Sequence, residues 1–264
     1  MERAPLDSDR LRRFVGDHSV WSSIEVHESI NSTNTALAAR AAHGAAAGTV
    51  ITAESQTAGR GRADRSWTSP PKSGLAVSML LRPTSHMSRW SWLPLLAGVA
   101  ACEAVTAAVG EVAVALKWPN DVLAGPHYHK LAGILAEVSG GGVVLGIGVN
   151  VTVDRADLPR TDATSLAIEA PSAPDRTRLL AGLLDRVGHW YTSWEAAAGD
   201  PRTSGLASAY RARCHTLGRK VTVSLPDGGE RLGTAADIDG DGRLCVDTEA
   251  GRISVAAGDI RHVR

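Results

Sequence analysis

The 264-residue chain carries 28 Lys plus Arg against 28 Asp plus Glu, so its formal net charge is zero. At about 150 residues per domain, that length suggests one large domain or a domain with a small appendix. The 44% hydrophobic and 21% charged fractions are ordinary for a globular protein. The balance argues against a chain whose main business is nucleic-acid binding, which needs a cationic surplus. Cys102, Cys214 and Cys245 form no CxxC pair and suggest neither a zinc site nor a disulfide framework. No apolar run follows the first charges, so no signal peptide is expected. The apolar passage 93–109 is interrupted by Pro94, Gly98 and Glu103 and falls short of the ~20 apolar residues of a membrane span. The expectations are no nucleic acid, no membrane and a cytoplasmic protein.

In chain order, Leu11, Phe14 and Val15 predict a short helix capped by Asp7 or Ser8. Ile24 to His27 reads as a strand, and the Ala-rich stretch from Thr35 to Ala47 as a helix. Thr49 to Glu54 is β-branched and alternating, hence a strand. Gln56 to Ser73 has almost no apolar residues; loops longer than about 12–15 residues inside a domain are usually functional or disordered. A strand (Leu75 to Leu81), a helix (Arg89 to Val109) and a strand (Val112 to Leu116) follow. Lys130 to Val138 and Val143 to Val151 flank Gly140-Gly141-Gly142 as a hairpin. Residues 154–174 read as irregular. Leu179, Leu180, Leu183, Leu184, Val187, Trp190 and Trp194 form one helical stripe within Arg176 to Trp194, and Leu206 to Cys214 is a last helix. Four short strands then predict a small β-barrel: Lys220 to Leu225, Glu230 to Ile238, Leu244 to Thr248 and Arg252 to Val255. Turns at Pro226-Asp227-Gly228-Gly229 and Asp239-Gly240-Asp241-Gly242 separate them. A domain boundary at 215/216 follows.

Four features carry chemistry. Gln56-Thr57-Ala58-Gly59-Arg60-Gly61-Arg62-Ala63-Asp64-Arg65-Ser66-Trp67 sets three arginines between glycines. Glycine lets backbone N–H groups approach a ligand closely, and arginine forks match phosphate and carboxylate oxygens. The run is neither a dinucleotide fingerprint nor a GxxxxGK[ST] phosphate loop. Lys117-Trp118-Pro119-Asn120-Asp121 sits at a strand end, where ligand groups often lie. Lys130 opens the apolar strand LAGIL, and Asn150 closes another.

The order STN, ESQTAGRGRADRSW, KWPNDVL, KLAGILAEV, GIGVNV over residues 30–151 resembles the biotin protein ligases. The resemblance implies an α+β fold: a catalytic domain (1–215) with a mixed sheet flanked by helices, of the class II synthetase-like biotin/lipoate ligase type. A small C-terminal SH3-like β-barrel (216–264) would follow. It implies the monofunctional type without an N-terminal DNA-binding domain, because the motifs begin at Ser32.

The implied reaction joins biotin's carboxylate to the α-phosphate of Mg-ATP, giving biotinyl-5′-AMP. That anhydride then acylates a lysine of a biotin carboxyl-carrier domain. Two anions must meet, so cations are needed. The resemblance assigns Lys130, Asp121, Arg60 and Arg62 to catalysis. It assigns Ser32, Thr33, Asn34, Gln56, Gly59, Arg60, Lys130 and Gly133 to biotin, and Arg62, Arg65, Trp67, Lys117, Asn120 and Asn150 to ATP or the adenylate. Asp121 would deprotonate the target amine or help position Mg²⁺, and no dedicated metal ligands are assigned.

Some features are decoys. Asp237 to Thr248 starts like a calcium loop but lacks the glutamate at position twelve. His127 and His129 read as a surface loop. Trp90, Trp92, Trp190 and Trp194 read as packing. Two alternatives are a lipoate or octanoate ligase, whose acyl chain has no ureido group to read, and a non-catalytic biotin or adenylate sensor.

Overall fold

A computed structural model describes residues 3–16, 20–224, 229–256 and 260–263. Residues 226–228 of the turn expected at 226–229 lie outside them. Seven strands form the main mixed sheet: β1 (Ser23–His27), β2 (Thr49–Ala53), β3 (Gly74–Leu81), β4 (Val114–Lys117), β5 (Asp121–Ala124), β6 (His129–Ser139) and β7 (Gly142–Asn150). Their spatial order is β1-β2-β3-β7-β6-β5-β4, with only β1–β2 parallel.

Alternation divides the sheet into two faces. Leu75, Val77, Met79, Val143, Leu145, Ile147 and Val149 join one large core. Against it pack α1 (Ser8–Val15), α3 (Leu93–Val109), α5 (Arg176–Ala196) and α6 (Leu206–Arg213). On the other face Ile51, Leu80 and Val144 meet Leu37 and Ala41 of α2 (Thr33–Ala42). This second cluster is small because α2 covers only part of the sheet, and the remainder is where the site lies.

Most expected elements are present, with informative differences. Ser32 caps α2 by accepting from Thr35 N, so the helix starts two residues earlier than its alanines suggest and stops at Ala42. Asp7 caps α1. A 3₁₀ turn, Met87–Trp92, occupies the first part of the expected Arg89 helix. Together Met87–Val109 is long and apolar enough to cross a membrane by length and composition, contrary to the expectation from its interruptions, but most of it is buried in the core. A four-residue helix α4 (Leu166–Glu169) sits in the irregular stretch. The strand β5 was not anticipated; four residues are too few to show a period. Gly140 and Gly141, both at positive φ, make the expected hairpin turn.

The C-terminal part is a five-stranded antiparallel sheet of β8 (Lys220–Ser224), β9 (Glu230–Ile238), β10 (Leu244–Thr248), β11 (Gly251–Val255) and β12 (Ile260–His262), in the order β11-β10-β9-β8-β12. Among the described residues its outer strands β11 and β12 are not paired, so it is an open sheet rather than a closed barrel. The acidic turn that imitates a calcium loop is a clasp. Its carbonyls at Gly240 and Gly242 accept from Trp92 Nε1 (2.8 Å) and Trp118 Nε1 (3.0 Å). Both indoles are buried, and the turn gives each a hydrogen-bond partner.

One buried ion pair ties three segments together. Arg176, at the start of α5, meets Glu54 at 2.7 Å, and both side chains are about 95% buried. Arg176 also donates to Gly74 O (3.1 Å) and Ala4 O (2.6 Å), while Glu54 accepts from Leu6 N. Removing one partner of such a pair strands the other charge. Arg176→Met is therefore expected to lower stability by about 3–5 kcal/mol in urea unfolding, with Glu54→Gln/Arg176→Met losing less than the sum of the two single changes.

Candidate active site

The site begins with what is missing. On β6 and β7 the residues facing away from the large core include Gly133, Gly146 and Gly148, with Gly133 and Gly148 opposite one another. A Cβ at Gly148 would lie 2.5 Å from the Trp67 ring, and one at Gly133 would lie 3.1 Å from it. A Cβ at Gly146 would collide with the Asn34 carboxamide. These glycines clear a bare patch of sheet, and Trp67 lies on it.

Trp67 arrives from the Arg-Gly loop, which is a small folded unit. Arg60 and Ser66 bridge, Trp67 N donates to Gly59 O (2.9 Å), and Gly61 N to Arg65 O (2.6 Å). Ala63 and Asp64 both have positive φ, and Arg65 N reaches Arg62 O at 3.2 Å. That is a type I′ turn built without glycine at its centre. Gly59 backs onto the Trp67 carbonyl with no room for a Cβ.

At one end of the pocket, Thr33 N and Oγ1 both donate to Gln56 Oε1 (2.9 and 3.1 Å). Buried Ser78 Oγ sits 2.8 Å from Thr33 Oγ1 and 2.6 Å from Asn34 Oδ1. Asn34 Nδ2 continues to Glu137 (2.9 Å), and Glu137 meets Arg60 at 2.9 Å. At the other end Lys130 Nζ stands 2.6 Å from Asp121 Oδ1 and 5.9 Å from the Trp67 ring centroid. Asp121 Oδ1 is buried, and the Lys130 ammonium is its ion-pair partner. Arg62 donates to Asn120 Oδ1 (3.1 Å), whose amide group donates to Ile134 O (2.9 Å). Arg65 Nε donates to Arg62 O (3.1 Å) and Asn150 Nδ2 to Thr164 O (3.0 Å).

Twelve of the residues anticipated from the sequence therefore line one pocket: Ser32, Thr33, Asn34, Gln56, Arg60, Arg62, Arg65, Trp67, Asn120, Lys130, Gly133 and Asn150. Gly59 supports it from behind. Lys117 and Asp121 line a wider neighbouring cleft, shared with Arg65, Asn120 and Lys130 and reaching the C-terminal sheet at Arg219 and His262. The sequence reading missed Ser78, Glu137, Gly146 and Gly148. It also missed the wall formed by Pro159, Arg160 and Ala163, where Lys130 exchanges backbone hydrogen bonds with Asp162 O and Thr164 N (2.8 and 2.9 Å). The alternating glycines of GIGVN and the length of the irregular 154–174 stretch were the available signals. His127 and His129 line the cleft, and among the described residues no group of three or more His, Cys, Asp or Glu side chains is placed to hold a metal.

Comparison with known proteins agrees with this geometry. Residues 26–154 match the Biotin/lipoate A/B protein ligase family and residues 216–263 the Biotin protein ligase C terminal domain. A biotin–[acetyl-CoA-carboxylase] ligase of Mycobacterium tuberculosis is 43% identical over 99% of this chain and 97% of its own. The chain belongs to the biotin protein ligase family. Two solved structures of that family share its fold. The Aquifex aeolicus biotin protein ligase in complex with biotin and ATP has TM-score 0.77 and 27% identity, over 92% of this chain and all of that one. The Leishmania major biotin protein ligase in complex with biotinyl-5-AMP has TM-score 0.61 and 25% identity, over 89% and 99%.

The wider cleft of this biotin protein ligase family member also makes a pH-dependent contact. His262 on β12 lies 3.2 Å from Thr216 Oγ1, which accepts from Trp118 N (3.1 Å). Burial, helped by Lys117, His215 and Arg219, pushes the His262 imidazole down from 6.5 to about 4. The folded state thus binds this proton less readily than the unfolded chain. Its contribution is intact above pH ~6.5 and is lost as pH falls from there toward ~4. Urea midpoints measured between pH 7 and pH 5 should fall for the native chain, and less steeply for His262→Gln.

Proposed function

We infer that the chain is an ATP-dependent ligase that activates biotin as biotinyl-5′-AMP and transfers it to a lysine of a biotin carboxyl-carrier domain. The observation that carries this reading is a single pocket with two chemically different ends. A hydroxyl and carboxamide network, suited to a ureido ring, stands at one. The Arg-Gly loop and Lys130, suited to anions, stand at the other. The name of the mycobacterial relative and the ligands of the Aquifex and Leishmania structures support the same chemistry here.

In this reading Ser32, Thr33, Asn34 and Gln56, with the backbone of the Gly59–Arg60 segment and the cleared face at Gly133, bind biotin. Trp67, Asn150 and Asn120 serve the adenylate side, where the indole packs or stacks. Lys130 leaves Asp121 for the biotin carboxylate and the α-phosphate, and Arg62 and Arg65 add the charge that offsets repulsion between the two anions. The carboxylate oxygen attacks the α-phosphorus and pyrophosphate leaves toward Lys117. Asp121, released from Lys130, then receives the acceptor ε-ammonium, which is protonated at neutral pH, and takes its proton. The amine attacks the acyl carbon and AMP departs. Mg²⁺ accompanying ATP would find hard oxygen donors in Asp121 and the Asn120 carboxamide, and it supplies charge neutralisation on the phosphates. The loop closed over the pocket keeps water from the anhydride. The division at 215/216, with the C-terminal sheet as the family's small SH3-like unit, belongs to the same reading.

Incubation with ATP, Mg²⁺, labelled biotin and a competent carrier domain should label the carrier, while labelled lipoate should not. Tight biotin binding without transfer would favour a sensor instead. Arg62→Ala should keep the fold but cut adenylate formation or retention by about tenfold or more; normal single-turnover adenylation would contradict its role. Asp121→Asn should leave adenylation within a few-fold and slow transfer by about 10²-fold or more. Equal loss of both steps would assign Asp121 to the metal.

A further inference from the structure

Arg60 differs from the other loop arginines in its partner. Its guanidinium holds Glu137 through two contacts, Nη2 to Oε1 at 2.9 Å and Nη1 to Oε2 at 3.3 Å. Glu137 Oε2 accepts as well from Asn34 Nδ2 (2.9 Å), and Asn34 is one link from Thr33 through Ser78. Glu137 itself does not line the pocket. It stands on β6 beside it, four residues after Gly133 on the same face of the strand. One carboxylate thus joins the loop, the first turn of α2 and the sheet. Two-point pairing of arginine with carboxylate fixes orientation as well as charge.

We propose that Glu137 is a positioning residue. Its pairing with Arg60 anchors the near end of the Arg-Gly loop, holding the Gly59–Arg60 backbone against the biotin end of the pocket and setting how long the adenylate is retained. Arg60 accordingly acts through its backbone, with its side chain as the anchor, and the charge that meets the phosphate comes from the far part of the loop. This rests on the ligase reading for its ligand, while the anchoring of the loop stands on the geometry alone.

Two measurements test it. The first is release of preformed labelled biotinyl-5′-AMP in a chase with unlabelled biotin. The second is the rate of tryptic cleavage after Arg60, Arg62 and Arg65 in the unliganded protein. Glu137→Gln, which keeps the shape but not the charge, should release adenylate roughly tenfold faster, the scale of one charge-assisted hydrogen bond. It should also be cleaved faster at Arg62 and Arg65, with its thermal midpoint within a few degrees of the native chain. Arg60→Met, which breaks the same pair from the loop side, should match it in release, and the double variant should be no worse than either alone. Native release and cleavage rates in Glu137→Gln, or additive effects in the double variant, would overturn the proposal. A native protein that forms no adenylate would sink the ligase reading instead, and the cleavage rates would still decide the anchor.

Discussion

The site depends on a subtraction: three side chains that the sheet does not have. A sheet face normally presents a side chain at every second residue of each strand. At Gly133, Gly146 and Gly148 nothing projects, so an indole and a carboxamide lie against the backbone of β6 and β7. Glycine weakens a strand interior, and the cost is absorbed by position. Both strands are central, with β7 paired to β3 and β6 along its length, and the opposite face carries the main core. The large core gives the rigidity that lets the other face be left bare.

Around that patch the flanking chain is held firmly. The Arg-Gly loop meets the rest through the Arg60–Glu137 and Arg62–Asn120 contacts and through the Trp67 indole on the glycine patch. The segments beside it are pinned at two places. The Glu54–Arg176 pair fixes the chain just before Gln56, and the clasp of Trp92 and Trp118 on the 239–242 turn fixes the chain just before Asn120 and Asp121. The C-terminal sheet therefore bears on the chemistry without supplying the pocket wall, by gripping the tryptophan that precedes Pro119.

Much of this was legible in the sequence for one reason: the site is built from contiguous motifs. Residues 56–67 form one loop, and 117–121 form one strand end, so composition and spacing located them. Ser78 and Glu137 were not legible, because each sits in an ordinary strand pattern and gains meaning only from partners 44 and 77 residues away. Arg160 and Ala163 come from a stretch whose irregularity hid its fixed backbone pairing with Lys130. The short strands β5 and β12 carry too few residues for periodicity to register. The expected barrel had four of the five strands and not the open arrangement found among the described residues, because sequence patterns report strands but not whether the outer two meet.

The zero net charge takes its sense from the same arrangement. In the unliganded protein Lys130 rests on Asp121, Arg60 on Glu137 and Arg160 on Asp162. Each cation near the pocket that has a carboxylate partner must exchange it or keep it when anions arrive. Bare clustered cations would repel one another and bind any phosphate indiscriminately, whereas paired ones engage only a ligand that outcompetes an existing contact. The three pairs differ in how easily they yield. Asp121 meets Lys130 through one oxygen, whereas Glu137 is gripped by Arg60 at two points and by Asn34 at a third. In the proposed mechanism Lys130–Asp121 is the pair that opens, and in the proposed anchoring Arg60–Glu137 is the pair that stays. In that mechanism an exchange at Asp121 leaves the carboxylate free for the next cation to enter, the acceptor lysine.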